Sequence, residues 1–364
     1  MGVVVPSRFP GLDERREWDI PPHPRNTRPG FPSLYSEPSD TSPAGPSGRP
    51  GRKRNQEMFL KIYYKIKPLI PRRLQLGMRR LRARVKMRTH ADVWPIDEAA
   101  AKPPKDWKGW PEGKKFALIL THDVDTQKGH DRCRDLAHLE MEMGFRSSFN
   151  FVPERYTVSS DLRRFLVSKG FEVGVHGLKH DGKYFNSREY FRQRAEQINR
   201  YLKDWGALGY RSPSMLHNLD WFHDLDIEYD SSTFDTDPFE PQPTGAGTIF
   251  PFFVGKRNSG KGFVELPYTL PQDFTLFILM KHRDVGIWKR KVDWIVEHGG
   301  MVLVNVHPDY MNFNNECRLE EYRACLYEDI LLYIKTKYND MYWHVLPGEI
   351  ARLFSRTSFF VNVN

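Results

Sequence analysis

The sequence predicts a parallel α/β fold whose units suit a barrel, closed or incomplete, better than a two-layer module. Three observations carry this. Apolar runs of strand length alternate with helix-length segments of 3.6-residue periodicity. Glycines close several of the helical segments. Histidines and charged residues stand directly after the apolar runs, where parallel α/β folds place their chemistry. The chain has 364 residues, enough for one large domain or two modest ones.

Residues 1–54 are rich in Pro, Gly, Ser and Arg and lack aliphatic periodicity, so they are expected to be a disordered leader. Residues 55–90 form a basic amphipathic arm. The stretch 52–88 holds fourteen Lys and Arg against Glu57 alone, a net +13 that exceeds the whole chain's +9. The rest of the protein is therefore net acidic. Phe59, Ile62, Tyr63 and Ile66 make one helical stripe and Leu74, Met78, Leu81 and Val85 a second, with Pro68 and Pro71 between them. Three partners suit such an arm: the protein's own domain, an anionic membrane surface, or nucleic acid or another polyanion. No nucleic-acid recognition motif accompanies it, which disfavours the third. Residues 91–114 read as a linker containing Pro95, Pro103, Pro104 and Pro111.

The catalytic domain is expected over 115–350, with a tail at 351–364. Residues 116–120 read as a buried strand, 131–143 as a helix closed by Gly144, and 147–152 as a second strand. A helix at 160–168 ends at Gly170 and leads to a strand at 172–175. Ser187 caps a helix that runs to Trp205. Further on, strands are expected at 274–280, 301–306 and 341–345, and helices at 285–298 and 319–338. Cys133, Cys317 and Cys325 have neither disulfide nor metal-ligand spacing, which fits a reducing compartment. No secretory apolar run opens the chain and no run is long enough to span a membrane, so a cytoplasmic protein, at most peripheral at the inner membrane, is expected.

Four short motifs carry chemistry. Thr121-His122-Asp123-Val124-Asp125 follows the first strand, and two carboxylates there need a cation or donors. His176 and His180 follow the third strand; four residues apart, they can converge on one ion, and with a carboxylate from the first strand they make a set suited to zinc or another mid-row divalent metal. Arg211-Ser212-Pro213 offers a guanidinium to hold a carboxylate ionised. Val306-His307-Pro308 puts an imidazole where it could protonate a leaving group. His122 and His344 read as structural, and Asp273 as a loop or cap residue.

The ordered set resembles the polysaccharide deacetylase family, the NodB-homology or carbohydrate esterase family 4 group, over roughly residues 115–350. The arm and Trp94-Pro95-Ile96 also resemble the leader of a bacterial subset associated with surface polysaccharides. The resemblance implies a distorted (β/α) barrel of about seven parallel strands. It implies that Asp125, His176 and His180 hold one divalent metal, zinc first, and that Asp123 is the general base acting on a metal-bound water. Arg211 would orient Asp123, His307 would protonate the departing amine, and a backbone N–H near Ser214 would steady the oxyanion. Asp230-Ser231-Ser232 and Asp235 are the nearest counterparts of the family's motif that supports the catalytic His, and Asp309, in the loop directly after His307, is a further candidate to orient it. The sequence departs from the pattern in three places. Val124 separates the aspartates, Ser214-Met215 replaces the Gly after the Arg-x-Pro motif, and no Asp and Trp pair supporting the catalytic His is evident. The implied activity is removal of N-acetyl or related acyl groups from amino sugars of a carbohydrate. An O-acetyl esterase using the same site, or an inactive glycan-binding scaffold, remains the alternative.

Overall fold

The computed structural model describes residues 71–356 apart from 106, 243, 256–261 and 315. The leader and the first stripe of the arm lie outside these residues.

The central sheet is built on β1 (Phe116–Val124), a nine-residue strand buried along its whole length. An unbroken apolar run is what a strand covered on both faces requires. β8 (Met301–Val306) pairs parallel to it on one side. On the other side lie β2 (Ser148–Phe151) beside its C-terminal half and β11 (Tyr342–His344) beside its N-terminal half. The sheet continues in parallel through β3 (Glu172–His176), β4 (Gly209–Arg211), β5 (Tyr229–Asp230) and β7 (Gly262–Glu265). The run β8-β1-β2-β3-β4-β5-β7 is thus seven parallel strands, and β6 (Phe252–Gly255) adds an antiparallel edge. Beyond β7 the backbone returns towards β8: the amides of Thr269 and Leu270 both donate to the Leu303 carbonyl. The sheet is mostly parallel and curled, a half-barrel consistent with a distorted (β/α) barrel.

Helices cover the outside. α2 (Gln127–Met143) ends at Gly144, and α3 (Ser160–Ser168) is capped by Ser159, whose hydroxyl accepts from the Leu162 amide. α4 (Arg188–Trp205) starts at Ser187 as expected, with the Ser187 hydroxyl accepting from the Tyr190 amide. α5 (Gly286–His298), α6 (Cys325–Lys337) and α7 (Pro347–Arg356) complete the set.

Several expectations need correcting. Residues 274–280 are not a strand. Phe274–Leu279 is a π-helical turn with four of its six residues buried, and all-round burial erases the periodicity that separates helix from strand. The helix expected from 319 begins at Cys325. Upstream, the Glu321 carboxylate accepts from the Arg318 amide, Asn312 and Arg132, which pins an extended pair of short strands, β9 (Met311–Asn312) and β10 (Tyr322–Arg323). The 91–114 linker is packed into the core: Trp94, Ala100, Ala101 and Trp110 are buried, and Trp110 donates to the Gly299 carbonyl at 2.8 Å. α7 crosses residue 351, so the expected tail begins inside a helix.

The arm also differs. Residues 72–89 form one helix, α1 (Arg72–Thr89), that sits on the domain. Its buried residues are Gln75, Leu76 and Ala83, whereas Leu74, Met78, Leu81 and Val85 face outwards. The apolar stripe is on the side away from the core.

Candidate active site

Five neighbouring strands deliver the site from their C-terminal ends. β1 supplies Asp123 and then Asp125, β2 supplies Asn150, β3 ends in His176, β4 ends in Arg211, and β8 supplies Asn305 and then His307. Parallel strands put these ends on one rim, so residues 184 positions apart in sequence become neighbours.

Asp125, His176 and His180 form a metal-capable group whose ligand atoms all lie within 4.8 Å of one another. Asp125 Oδ1 is 3.0 Å from His180 Nε2 and 3.4 Å from His176 Nε2. That oxygen is buried and receives no well-aligned hydrogen bond. Ligands at about 2.0–2.1 Å from a tetrahedral zinc stand about 3.3 Å apart, so the spacing fits. His176 Nδ1 lies 3.0 Å from the Arg211 carbonyl, which fixes Nε2 as the nitrogen with a free lone pair. Burial would lower the His176 pKa, but Asp123 and then Asp125 overcome it and raise the proton affinity of the ring. The same facing carboxylates would favour a metal cation.

Asp123 stands beside this group and is held differently. Asn305 Nδ2 donates to its Oδ2 at 2.9 Å, Asn150 Nδ2 to its Oδ1 at 3.2 Å, and Arg211 Nη1 to Oδ1 at 3.4 Å. Burial alone would push this carboxyl up; Arg211, then His176 and His307, hold it down at about 2. Both Asp123 oxygens thus have donors, whereas Asp125 Oδ1 receives no well-aligned hydrogen bond. The Arg211 segment is supported from behind, because Nη2 donates to Ser231 and the Ser212 amide donates to Ser232.

His307 Nε2 lies 4.0 Å from Asp123 Oδ2, across the site. Its Nδ1 meets Asp273 Oδ1 at 2.7 Å, and its amide donates to Asp273 Oδ2 at 2.8 Å. The Tyr322 hydroxyl donates to the same Oδ2 at 3.0 Å. Burial lowers the His307 pKa, but Asp273 first, then Asp125 and Asp123, lift it to about 10.

Asp273 is therefore the partner of His307, in place of the expected Asp230, Asp235 or Asp309; Asp235 instead pairs with Lys291. Asp230 accepts from Ser232 and adjoins Glu265, a buried carboxylate pair behind Arg211. Asp309 accepts from the Asp125 amide at 2.9 Å and from the Thr126 hydroxyl, and so anchors the loop that carries the candidate ligand. It comes this close because residue 129 is Gly; a Cβ there would lie 2.1 Å from Asp309 Oδ2. Ser214 and Met215 both have left-handed backbones, φ 56° and 53°. The turn thus keeps the conformation that favours Gly although Ser occupies it. The loop after His176 is equally tight, since a Cβ on Gly177 would meet Pro213 at 2.5 Å. His122 bonds to buried Glu140, and His344 accepts from the Arg146 amide; both are outside the site.

Asn150, Asn305 and Tyr322 were not singled out in the sequence, and Asp273 was read only as a loop or cap residue; it does cap Phe274, but it also holds His307. Asn305 was findable, because a lone amide in an otherwise apolar strand must find a partner when buried. Asp273 carries no comparable signal, since its neighbours do not reveal that its loop returns to the barrel rim.

No protein-family model matches the chain, and no curated protein matches it. Solved structures do match. A protein described as a polysaccharide deacetylase from Mycobacterium smegmatis is 17% identical, with 71% of this chain and 96% of that one covered and a TM-score of 0.52. Another so described, from Pseudomonas aeruginosa PAO1, is 16% identical, with 71% and 96% covered and a TM-score of 0.53. An allantoinase is 15% identical, with 74% and 99% covered and a TM-score of 0.56. At these identities the likeness is one of fold: the chain folds as the polysaccharide deacetylases do, in a distorted (β/α) barrel of the NodB type.

Proposed function

We propose that the protein is a metal-dependent hydrolase that removes N-acetyl or related acyl groups from amino sugars of a glycan or glycan precursor, in the manner of the deacetylase family its motifs resemble. The observation that supports this reading is the placing of two differently tuned groups face to face at one strand-end rim. Asp123, held ionised by Arg211 and two amides, faces His307, held protonated by Asp273. A base kept deprotonated beside an acid kept protonated suits hydrolysis of an amide, whose amine must gain a proton to leave. A divalent ion held by Asp125, His176 and His180 would polarise the acyl oxygen and acidify the attacking water. Asp123 would take that water's proton. His307 Nε2 would deliver a proton to the amine nitrogen, while Asp273 compensates the imidazolium charge.

The test is acetate release from a panel of N- and O-acetylated saccharides by zinc-loaded and metal-stripped protein, with Asp125→Ala and His307→Ala as controls. Release that needs metal and both side chains supports the reading. Release from O-acetyl esters alone, with His307→Ala nearly as active as the parent, would replace amide by ester hydrolysis, because an alkoxide needs the proton less than an amine does. Binding without turnover in metallated protein would favour a glycan-binding scaffold.

A further inference from the structure

α1 presents two unlike faces. The inner one is engaged with the domain: Leu76 is fully buried, Arg80 Nε donates to the Ile278 carbonyl at 3.1 Å, Arg72 meets Glu320, and the Arg79 guanidinium lies 4.7 Å from the centre of the Phe274 ring. The outer one carries four large apolar side chains, with Leu74 57%, Met78 41%, Leu81 63% and Val85 56% exposed. At 100° per residue these four fall within an arc of about 60°. Arg73, Arg84 and Arg88 flank the arc on one side and Arg82 on the other, and all four are exposed. The helix contains eight Arg and Lys and no acidic residue.

We infer that this outer face docks on an anionic lipid bilayer, with the helix lying in the interface plane. The apolar arc calls for an apolar partner, which phosphates of a nucleic acid do not offer. The flanking guanidiniums call for anions at the edge of that apolar partner, which lipid headgroups supply. A second copy of the same face would bring two all-basic surfaces together, so charge opposes self-association there. The arginine stems can lie along the acyl boundary while their heads reach the headgroups. The inference is independent of the hydrolytic chemistry.

Co-sedimentation of the full chain with vesicles tests it, using phosphatidylcholine alone and phosphatidylcholine with one third phosphatidylglycerol. The protein should sediment with the anionic vesicles only, and less so as salt rises. Leu81→Glu with Val85→Glu should abolish binding, and Arg84→Gln with Arg88→Gln should weaken it roughly 25-fold, about fivefold for each charge near an anionic surface. Both variants should keep the parent's melting temperature, because the altered side chains are exposed. Four results would overturn the inference: no binding to anionic vesicles; undiminished binding by the Leu81→Glu/Val85→Glu variant; a fall in that variant's melting temperature, which would make the face an internal contact; or its loss of a dimer that the parent forms, which would make it a self-association contact.

Discussion

Replacing Asp273 by Asn tests the acid half of the site with little change of shape. The remaining oxygen can still cap Phe274, whose amide donates to Asp273 Oδ1 at 2.8 Å, while the charge facing His307 is lost. Asp273 is the strongest of the charges that lift His307 to about 10, against the opposing effect of burial. Without it, His307 should fall to the ordinary imidazole value of about 6.5 or lower. An acid of pKa about 6.5 is roughly three-quarters protonated at pH 6 and about 3% protonated at pH 8. The parent, with its value near 10, stays protonated at both. The parent-to-variant rate ratio should therefore grow roughly 25-fold between pH 6 and pH 8. Loss of orientation adds a constant factor at both pH values, so only the ratio reports the pKa. The assay is a kcat/KM profile for acetate release. An equal loss at every pH would refute the argument and reduce Asp273 to a structural clamp on the β8 end. Because the folded-state pKa of His307 is raised, its stabilising ion pair is fully present below about 6.5 and is lost as pH passes through about 10.

Other outcomes follow from the same geometry. Asn305→Ala removes the 2.9 Å donor to Asp123, so the depressed Asp123 pKa should rise by about 1–2 units and the acid limb of the rate profile should move to higher pH. Asp230→Asn should leave kcat within about twofold of the parent, because Asp230 does not touch His307, and should raise the melting temperature more at pH 8 than at pH 5. The sign follows from burial and Glu265, which raise the Asp230 pKa; the protonated form is the stable one, and Asn imitates it at every pH. Zinc at about a thousand times its dissociation constant should stabilise the fold by about 4 kcal/mol over chelator-treated protein. Asp125→Ala should remove most of that difference in a thermal melt. An equal zinc effect in the variant would place the ion elsewhere.

The sequence by itself determined the strand ends and what they carry. Unbroken apolar runs at 116–120 and 301–306 can be little but buried strands, and parallel topology then forces the residues after them onto one rim. Ser187 and Gly144 bounded helices through purely local hydrogen bonding. Residues 274–280 failed because four consecutive buried residues, Thr275 to Ile278, leave no alternation for periodicity to read. Only the tertiary structure shows how differently the two carboxylates are surrounded. Asp123 and Asp125 are two residues apart and chemically identical, and it is Arg211, Asn150 and Asn305 on other strands that give Asp123 the donors Asp125 Oδ1 lacks. Asp273 became the partner of His307 because a loop 34 residues upstream in sequence folds back beneath β8. The outward turn of Leu74, Met78, Leu81 and Val85 was equally hidden. Periodicity fixes that a helix has an apolar face, but the rotation of that helix about its axis is set by its contacts, here Leu76, Arg80 and Arg79 against the domain.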